Sequence, residues 1–275
     1  MFRITIYKGP LVFHLFSMEY ICTVMKATTF PNPTAAGNMV LHKAADRGHA
    51  DHGWLKANFS FSFANWYDPD RMHFGVLRVL NDDIVEAGKG FGTHPHDNME
   101  IITIPLRGAI AHKDSMGNSG VIRVGDIQVM SAGTGILHSE FNAQEDQEMN
   151  TLQIWLFPNK RLVTPRYQQL TLDPVERLNR FQQVLSPNAD DAGVWIHQDA
   201  WFHIGKFDGG LTMEYMVKRK GNGVYAFVIE GEVTINGQGL GARDGLGISG
   251  LEKLDLRVGP NGAEILLMDV PMRLS

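Results

Sequence analysis

Residues 121–133, Val-Ile-Arg-Val-Gly-Asp-Ile-Gln-Val-Met-Ser-Ala-Gly, hold two short apolar runs on either side of a Gly-Asp pair. The runs are rich in Val and Ile and are bounded by turn residues, which is typical of β-strands. Comparable runs recur at Gly75–Leu80, Ile101–Ile104, Leu152–Phe157 and Tyr225–Ile229. Many short strands at near-regular spacing predict an all-β fold, an antiparallel sandwich or barrel.

The connections between these runs are also marked in the sequence. Gly125-Asp126 and Glu230-Gly231 are predicted turns, and Asn236-Gly237 is the strongest two-residue hairpin signal of the chain. Asp173-Pro174 predicts one short helix, with Asp173 as N-cap and proline in the first turn. Few helices are therefore expected, and only short ones.

Two parts of the chain resemble each other. Leu106–Ile110 followed by Gly125–Gly133 has the same order of turn, strand, Asp-containing turn and strand as Ile229–Val233 followed by Arg243–Gly250. A duplicated small barrel would account for both the chain length and the number of strands. The second copy contains no histidine after His203.

Composition excludes several classes of protein. The 275 residues carry a net charge of -5 and no block of five like charges, which argues against a nucleic-acid partner. The single cysteine, Cys22, cannot form an internal disulfide, so a reducing compartment such as the cytoplasm is expected. The longest apolar stretch, Leu11–Met25, is interrupted by polar residues and is too short to span a membrane.

The first 38 residues differ from the rest because their only charges are Arg3, Lys8, Glu19 and Lys26. A secretory signal is one interpretation, with a basic start and an apolar run, but that run is short and the cleavage site is poor. The alternative is a weakly ordered extension ahead of a downstream start at Met25 or Met39. The extension is the favoured interpretation of residues 1–38.

Two pairs of side chains could hold a metal ion. His94-Pro-His96 and His138-Ser-Glu140 each place two donors at positions i and i+2, which face the same side of a strand. Three imidazoles and a carboxylate suit a divalent transition metal that keeps positions open for water or substrate. The spacing alone also allows Glu100 as the carboxylate ligand.

The other candidate sites are weaker. The remaining histidines have no second donor at matching spacing, so hydrogen-bonded structural roles are expected for them: His42, His49, His52, His73, His112, His197 and His203. No Gly-x-Ser-x-Gly elbow is present, which disfavours a hydrolase of that type. The glycine-rich segment 88–92 lacks the following helix that a phosphate-binding loop needs.

The metal-binding pairs and their surroundings resemble the two motifs of the cupins. The positions that match are Gly88, His94, His96, Glu100, Gly108, Gly125, Gly135, His138 and Asn142. Several separated segments, in order, resemble the pirin family more closely: Arg47–Trp54, Phe61–Asn65, Leu77–Asn81, Gly92–Glu100, His112–Ser115 and Ile196–Ala200. This resemblance covers the chain from about residue 40 to its end.

The resemblance implies a bicupin, two antiparallel β-barrels or jelly rolls packed together. The first, residues 39–160, would bind the metal, and the second, residues 161–275, would be a degenerate barrel without ligands. Cupin spacing would choose Glu100 as the carboxylate ligand, whereas the pirin pattern chooses Glu140 together with His94, His96 and His138. We follow the pirin pattern, which leaves Glu100 as a supporting carboxylate.

The resemblance also implies a function. Bacterial pirins include enzymes that act on flavonols such as quercetin as 2,3-dioxygenases. We therefore expect a metal-dependent dioxygenase with an aromatic substrate and O₂, in which Glu140 accepts the proton of a substrate hydroxyl. Fe(II) is the expected metal, although Ni, Cu, Zn and Mn suit similar donors.

Two other functions stay open. Eukaryotic pirins are regarded as metal-bearing redox sensors that bind transcription factors, so a non-catalytic regulator with a protein partner is the alternative. A metal-holding protein without turnover is the third.

Overall fold

The computed structural model describes residues 37–274, so the expectations for residues 1–36, including Cys22, lie outside the described residues. The regular secondary structure of the described chain is almost entirely β-strand, and the helices are two 3₁₀ helices, Ala44–Asp46 and Pro174–Arg177. The strands are β1 (Asn38–His42), β2 (Gly48–Asp51), β3 (Leu55–Phe59), β4 (Leu77–Val85), β5 (Gly90–His96), β6 (Glu100–Arg107), β7 (Ala109–Asp114), β8 (Ser119–Arg123), β9 (Asp126–Ser131), β10 (Ile136–Asn142), β11 (Met149–Leu156), β12 (Arg166–Thr171), β13 (Gln182–Ser186), β14 (Val194–Trp195), β15 (Trp201–Phe207), β16 (Thr212–Met216), β17 (Asn222–Ile235), β18 (Gln238–Leu240), β19 (Gly245–Ser249) and β20 (Lys253–Pro271).

These strands form three sheets, and the predicted all-β fold is confirmed. A seven-stranded sheet has the order β12-β9-β6-β11-β4-β3-β2, and a four-stranded sheet has the order β5-β10-β7-β8. A nine-stranded sheet is built on β1-β19-β17-β20-β15-β13-β14, with β16 beside β20 and β18 beside β17. Among the described residues none of these sheets closes on itself, so the architecture is that of jelly-roll sandwiches rather than sealed barrels.

The seven-stranded sheet is covered on both faces. On one side, apolar residues of β3 and β4 pack with Ile110 and Ile122 of the four-stranded sheet. On the other side, Leu152, Ile154 and Leu156 of β11 belong to a core cluster that also contains residues of β13, β15, β17 and β20. The alternation along β11 therefore leaves Gln153 and Trp155 on the face toward the four-stranded sheet.

Each of the two larger sheets contains one strand from outside its own stretch of sequence. β1 pairs with β19 in the nine-stranded sheet, although β2 and β3 lie in the seven-stranded one. β12 pairs with β9, although β13 and β15 lie in the nine-stranded sheet. The two halves are therefore joined by exchanged strands as well as by packed faces.

Two of the predicted turn signals are confirmed and one is wrong. Asn236 and Gly237 connect β17 to β18 with φ values of 47° and 84°, the left-handed pair of a two-residue hairpin. The turn at Val124 and Gly125 connects β8 to β9, and Asp126 is the first residue of β9. Glu230-Gly231, in contrast, lies inside β17, where the pairing with β20 shifts register on either side. A β-bulge uses a left-handed glycine as a turn does, and Gly231 has a φ of 79°.

The predicted short helix forms as a 3₁₀ turn. The carboxylate of Asp173 accepts a hydrogen bond from the Val175 amide at 2.9 Å, and Pro174 is the first helical residue. The 3₁₀ turn ends at Arg177, and β13 follows. No helix within residues 37–274 has the length and apolar character needed to cross a membrane.

Candidate metal centre

Three of the predicted ligands converge between two neighbouring strands. β5 and β10 run antiparallel, with His94 directly opposite His138, and His96 lies two residues further along the same face. The ring centroid of His138 is 4.4 Å from that of His94 and 4.8 Å from that of His96. One ligand atom from each imidazole lies within 4.8 Å of the other two. The i, i+2 spacing thus places the two rings of β5 on the same face of the strand, as predicted.

The residue between the two histidines of β5 also fits its position. β5 is an outer strand of the four-stranded sheet, and Pro95 faces Leu137 of β10. The backbone N–H of Leu137 donates to the Ser115 hydroxyl, and its C=O accepts from the Ser115 amide, both on the side away from β5. In an antiparallel pair this means that the backbone of Pro95 points outward, where its missing N–H leaves no gap in the ladder.

Hydrogen bonding and burial both prepare the histidines to bind a metal. The Nδ1 of His94 lies 2.8 Å from the carbonyl oxygen of Gly92 and donates a hydrogen bond to it, so Nε2 is the nitrogen that would face an ion. Burial, with the neighbouring imidazoles, lowers the pKa of His96 to about 3 and that of His138 to about 2. Both rings are therefore neutral at physiological pH.

His138 supplies the test of whether an ion fits. Both of its ring nitrogens are buried, and neither has a hydrogen-bond partner among residues 37–274. A buried imidazole without partners is unfavourable in an otherwise satisfied structure. A divalent ion bound to the three imidazoles would provide that partner, so the donor set fits a transition metal. His94 is partly exposed, so the centre is open to solvent on that side.

Glu140 lies on the inner side of this cluster. The pairing of β10 with β5 shifts register between His138 and Glu140, and on β7 the residue opposite Glu140 is His112. The carboxylate accepts a hydrogen bond from Nε2 of Gln153 at 3.0 Å and one from the Thr103 hydroxyl at 3.4 Å. Burial raises the pKa of Glu140, and the nearby imidazoles and these two donors oppose the rise.

Glu100 lies apart from both histidine groups of the described chain. It starts β6 in the seven-stranded sheet and accepts a hydrogen bond from Ser131 at 2.6 Å. Burial raises its pKa to about 7. The even spacing from His96 to Glu100 does not place them on one face, because the chain leaves β5 and turns through Asn98, whose φ is 44°.

Sequence reasoning missed the part played by His112 and by a row of polar side chains near the centre. His112, assigned a structural role from the sequence, forms a compact group with His138 and Glu140. Gln153 lies beside both Thr103 and Asn81, and Thr103 lies beside Gln128, so a polar row crosses the inner face of the sheet. His112 could have been predicted only from the pairing of β7 with β10, and neither segment of sequence indicates that pairing.

Several of the other histidines are hydrogen-bonded as expected from the sequence, His49 to the side chain of Asn58 and His73 to the carbonyl oxygen of Gly75. His42 is hydrogen-bonded to the Tyr225 hydroxyl and His203 to that of Tyr215. Asp126 likewise binds locally, accepting from the Arg123 amide and the Thr171 hydroxyl.

Two family profiles match the chain in succession. The profile described as Pirin matches residues 40–156, and the one described as quercetinase C-terminal cupin domain matches residues 183–270. Between them they span both halves of the described structure.

Individual proteins match over nearly the same range. Quercetin 2,3-dioxygenase of Escherichia coli (strain K12) is 44% identical over 233 residues, which cover 84% of this chain and 98% of that protein. A pirin-like protein of Caulobacter vibrioides is 40% identical, with 84% of this chain and 99% of the relative covered. The crystal structure of the bacterial pirin YhhW from Escherichia coli in complex with nickel(II) superposes with a TM-score of 0.80 at 41% identity, covering 85% of this chain and 99% of that one.

Proposed function

The chain belongs to the pirin family, and on that premise we propose that it is a metal-dependent dioxygenase acting on a flavonol-type aromatic such as quercetin. The observation that carries the proposal is His138, a buried imidazole without a protein partner among the described residues, facing two further imidazoles. The name of the Escherichia coli relative supplies the substrate class.

We assign the metal to His94, His96 and His138, with Glu140 as the fourth ligand. Fe(II) is the proposed ion, because iron supports O₂ chemistry and imidazole with carboxylate suits it. The same donors also suit Ni, Cu, Zn and Mn, and the similar pirin structure holds nickel(II). A cytoplasmic location is part of the proposal and rests on the single cysteine.

The bound ion would supply Lewis acidity toward a substrate oxygen and redox chemistry toward O₂. Glu140 would accept the proton of the substrate hydroxyl, and the donors Gln153 and Thr103 keep its carboxylate in a fixed orientation. Trp155 packs edge-on against His96, with ring centroids 4.9 Å apart, and shields that ligand on its inner side. Substrate would enter past His94, which is partly exposed.

The second half of the chain would serve as a packed partner rather than a second centre. β16 pairs with β20 as β5 pairs with β10, and the buried residues there are Tyr215, Leu254 and Leu256. Apolar side chains thus fill the place that corresponds to the ligands. We propose the division 39–160 and 161–275 as the functional one, with the ion in the first part.

Oxygen uptake with quercetin tests the proposal. Metal-reconstituted wild-type protein is expected to consume O₂, and His94→Ala is expected to lower the rate at least about 100-fold, because a ligand to the ion is lost. His49→Ala, which removes an exposed histidine far along the chain from the ligands, is the matched control and should retain the rate.

The carboxylate assignment is tested by metal content. Glu140→Gln is expected to lose metal and Glu100→Gln to retain it. Equal oxygen uptake in wild type and His94→Ala would overturn the proposed function, and metal loss confined to Glu100→Gln would overturn the ligand assignment.

A further inference from the structure

A cavity of about 440 Å³ lies in the second half of the molecule, among residues that play no part in the metal centre. Its walls come from the segment that leads into β13, from β15 and from β16, and they include Phe181, His203, Phe207, Met213 and Tyr215. Cavities of this size, with aromatic walls and a few polar groups, are typical of sites for small organic ligands.

His203 brings a polar group into this apolar interior. Phe202 and Ile204 of β15 belong to the core cluster that is shared between the halves. The alternation of the strand therefore turns His203 to the opposite face, toward the core cluster that contains Phe207 and Leu267. Only 4% of His203 is exposed, and a polar side chain buried to this extent ordinarily has its hydrogen bonds satisfied.

A chain of hydrogen bonds fixes which nitrogen of His203 carries the proton. The Asp269 carboxylate accepts from the Lys218 amide and from Nδ2 of Asn222, each at 2.7 Å. The Tyr215 hydroxyl also donates to Asp269, at 3.2 Å, and its oxygen lies 3.2 Å from Nδ1 of His203. Because the hydroxyl has one proton, Nδ1 is the donor in the last contact, and Nε2 is the acceptor of a neutral ring.

The accepting nitrogen of His203 is left for a ligand. Within residues 37–274 only Nδ1 of this ring has a hydrogen-bond partner, although the ring lines the cavity. Burial, and after it the charge of Lys218, lowers the pKa of His203 to about 3, so the ring is neutral at physiological pH. A hydroxyl group in the cavity would satisfy Nε2 by donating to it.

The walls of the cavity favour an aromatic, uncharged ligand. Phe181 packs edge-on against Phe207 and Tyr215, with ring centroids 4.9 Å and 5.9 Å apart, and it is partly exposed, so a further ring can pack beside it. The charged side chains at the rim already have opposite charges nearby: Arg180 has Glu176, Glu214 has Lys253, and Lys218 has Asp191 and Asp269. An ionised ligand would lose hydration there without gaining a free counter-charge from the described residues.

We propose that this cavity is a second binding site, for a neutral aromatic molecule that carries a hydroxyl group. The hydroxyl would donate to Nε2 of His203, and the ring would pack against Phe181 and Met213. The hydrogen bonds through Tyr215 to Asp269 would keep the imidazole in its accepting form. The site needs no ion and is independent of the proposed dioxygenase activity.

Binding of 4-fluorophenol and of fluorobenzene to the full-length protein, followed by ¹⁹F NMR, tests the proposal. The two probes differ only by the hydroxyl, and we expect wild type to bind 4-fluorophenol about 5-fold to 10-fold more tightly, the ratio that one added hydrogen bond gives. His203→Phe should bind the two probes equally. His42→Phe is the matched control and should keep the preference, because His42 is likewise buried and bonded to a tyrosine hydroxyl but does not line the cavity.

The metal centre provides the alternative location for a bound phenol. His94→Ala should keep the preference for 4-fluorophenol if the phenol binds beside His203. A preference that is lost in His94→Ala and kept in His203→Phe would overturn the proposal. Equal affinity of wild type for the two probes, or no binding of either, would overturn it even if His203→Phe fails to fold.

Oxygen uptake separates this inference from the proposed function. His203→Phe should consume O₂ with quercetin at the wild-type rate, because His203 lies outside the metal centre. Wild type that prefers 4-fluorophenol but consumes no O₂ would refute the proposed function and leave the second site standing. Wild type that consumes O₂ without preferring 4-fluorophenol would do the reverse.

Discussion

At the scale of single residues, the centre depends on polar side chains of the opposite sheet. Gln153 donates to Glu140 at 3.0 Å, and its neighbours along the polar row, Asn81 and Gln128, each have a buried amide atom without a partner in the described chain. An interior face of this kind is normally apolar in a β-sandwich. The polar row thus belongs to the site rather than to the core.

Gln153→Leu is expected to weaken metal binding about 10-fold to 100-fold, because the Glu140 carboxylate loses its shortest hydrogen bond and its orientation. A competition titration against a chromophoric chelator measures this. Gln183→Leu is the control, because Gln183 bonds the carbonyl of Ala192 far from the centre. Equal affinity in the two variants would show that Gln153 does not position Glu140.

The sequence predicted some of these residues and not others for a clear reason. His94, His96 and His138 are recognisable because i, i+2 spacing is a local property of a strand. His112 and Gln153 reach the centre only through pairings with β10 and β6, which are set by the tertiary fold. The even spacing from His96 to Glu100 wrongly suggests that the two side chains share a face, because the left-handed residue Asn98 lies between their strands.

At the scale of elements, the hairpin between β17 and β18 requires glycine at position 237 because of backbone conformation alone. Gly237 has a φ of 84°, and an added Cβ would meet nothing within 4 Å. Gly237→Ala should therefore lower the free energy of unfolding by about 1–2 kcal/mol through backbone strain only.

Gly239→Ala is the matched control, because that glycine of β18 has an ordinary φ and equally open space. It should leave the free energy unchanged or raise it slightly, by restricting the unfolded chain. Urea unfolding of both variants measures the difference. A loss of the same size at both positions would refute the backbone explanation.

A polar residue followed by glycine marks two different structures in this chain, a hairpin turn and a bulge within a strand. The sequence alone could not distinguish them. Asn236-Gly237 ends a strand, whereas Glu230-Gly231 bends one. At Gly231 a Cβ would lie 2.1 Å from the carbonyl oxygen of Gly262, so close approach of the β20 backbone also requires glycine there. That requirement depends on a residue distant in sequence.

At the scale of the whole molecule, the largest core cluster lies between the halves rather than inside either one. It joins residues of β4, β6, β9 and β11 to residues of β13, β15, β17 and β20. Arg243 adds a polar link by binding Asp82 of β4 at 3.1 Å. The duplication was visible in the sequence, but the exchange of β1 and β12 was not, because short strands carry no signal of their partner.

Ile154→Ala, in the centre of this shared core, should cost about 2–5 kcal/mol and destabilise both halves together. Hydrogen exchange at β10 and at β19, one strand from each half and both outside the shared core, should accelerate in parallel if the common interface couples the halves. Val175→Ala, at a residue that is 61% exposed, should change neither. Faster exchange confined to β10 would mean that the halves unfold independently.

Pro95 faces outward on β5, the edge strand that carries two of the proposed ligands, and it disfavours pairing of that edge with another chain. An unpaired strand edge is a template on which a second polypeptide can extend the sheet. Pro95 removes a donor from that template midway between His94 and His96. The edge of β5 can thus stay exposed beside the proposed ion site and still be a poor partner for a strand of another molecule, whether or not the ion is bound.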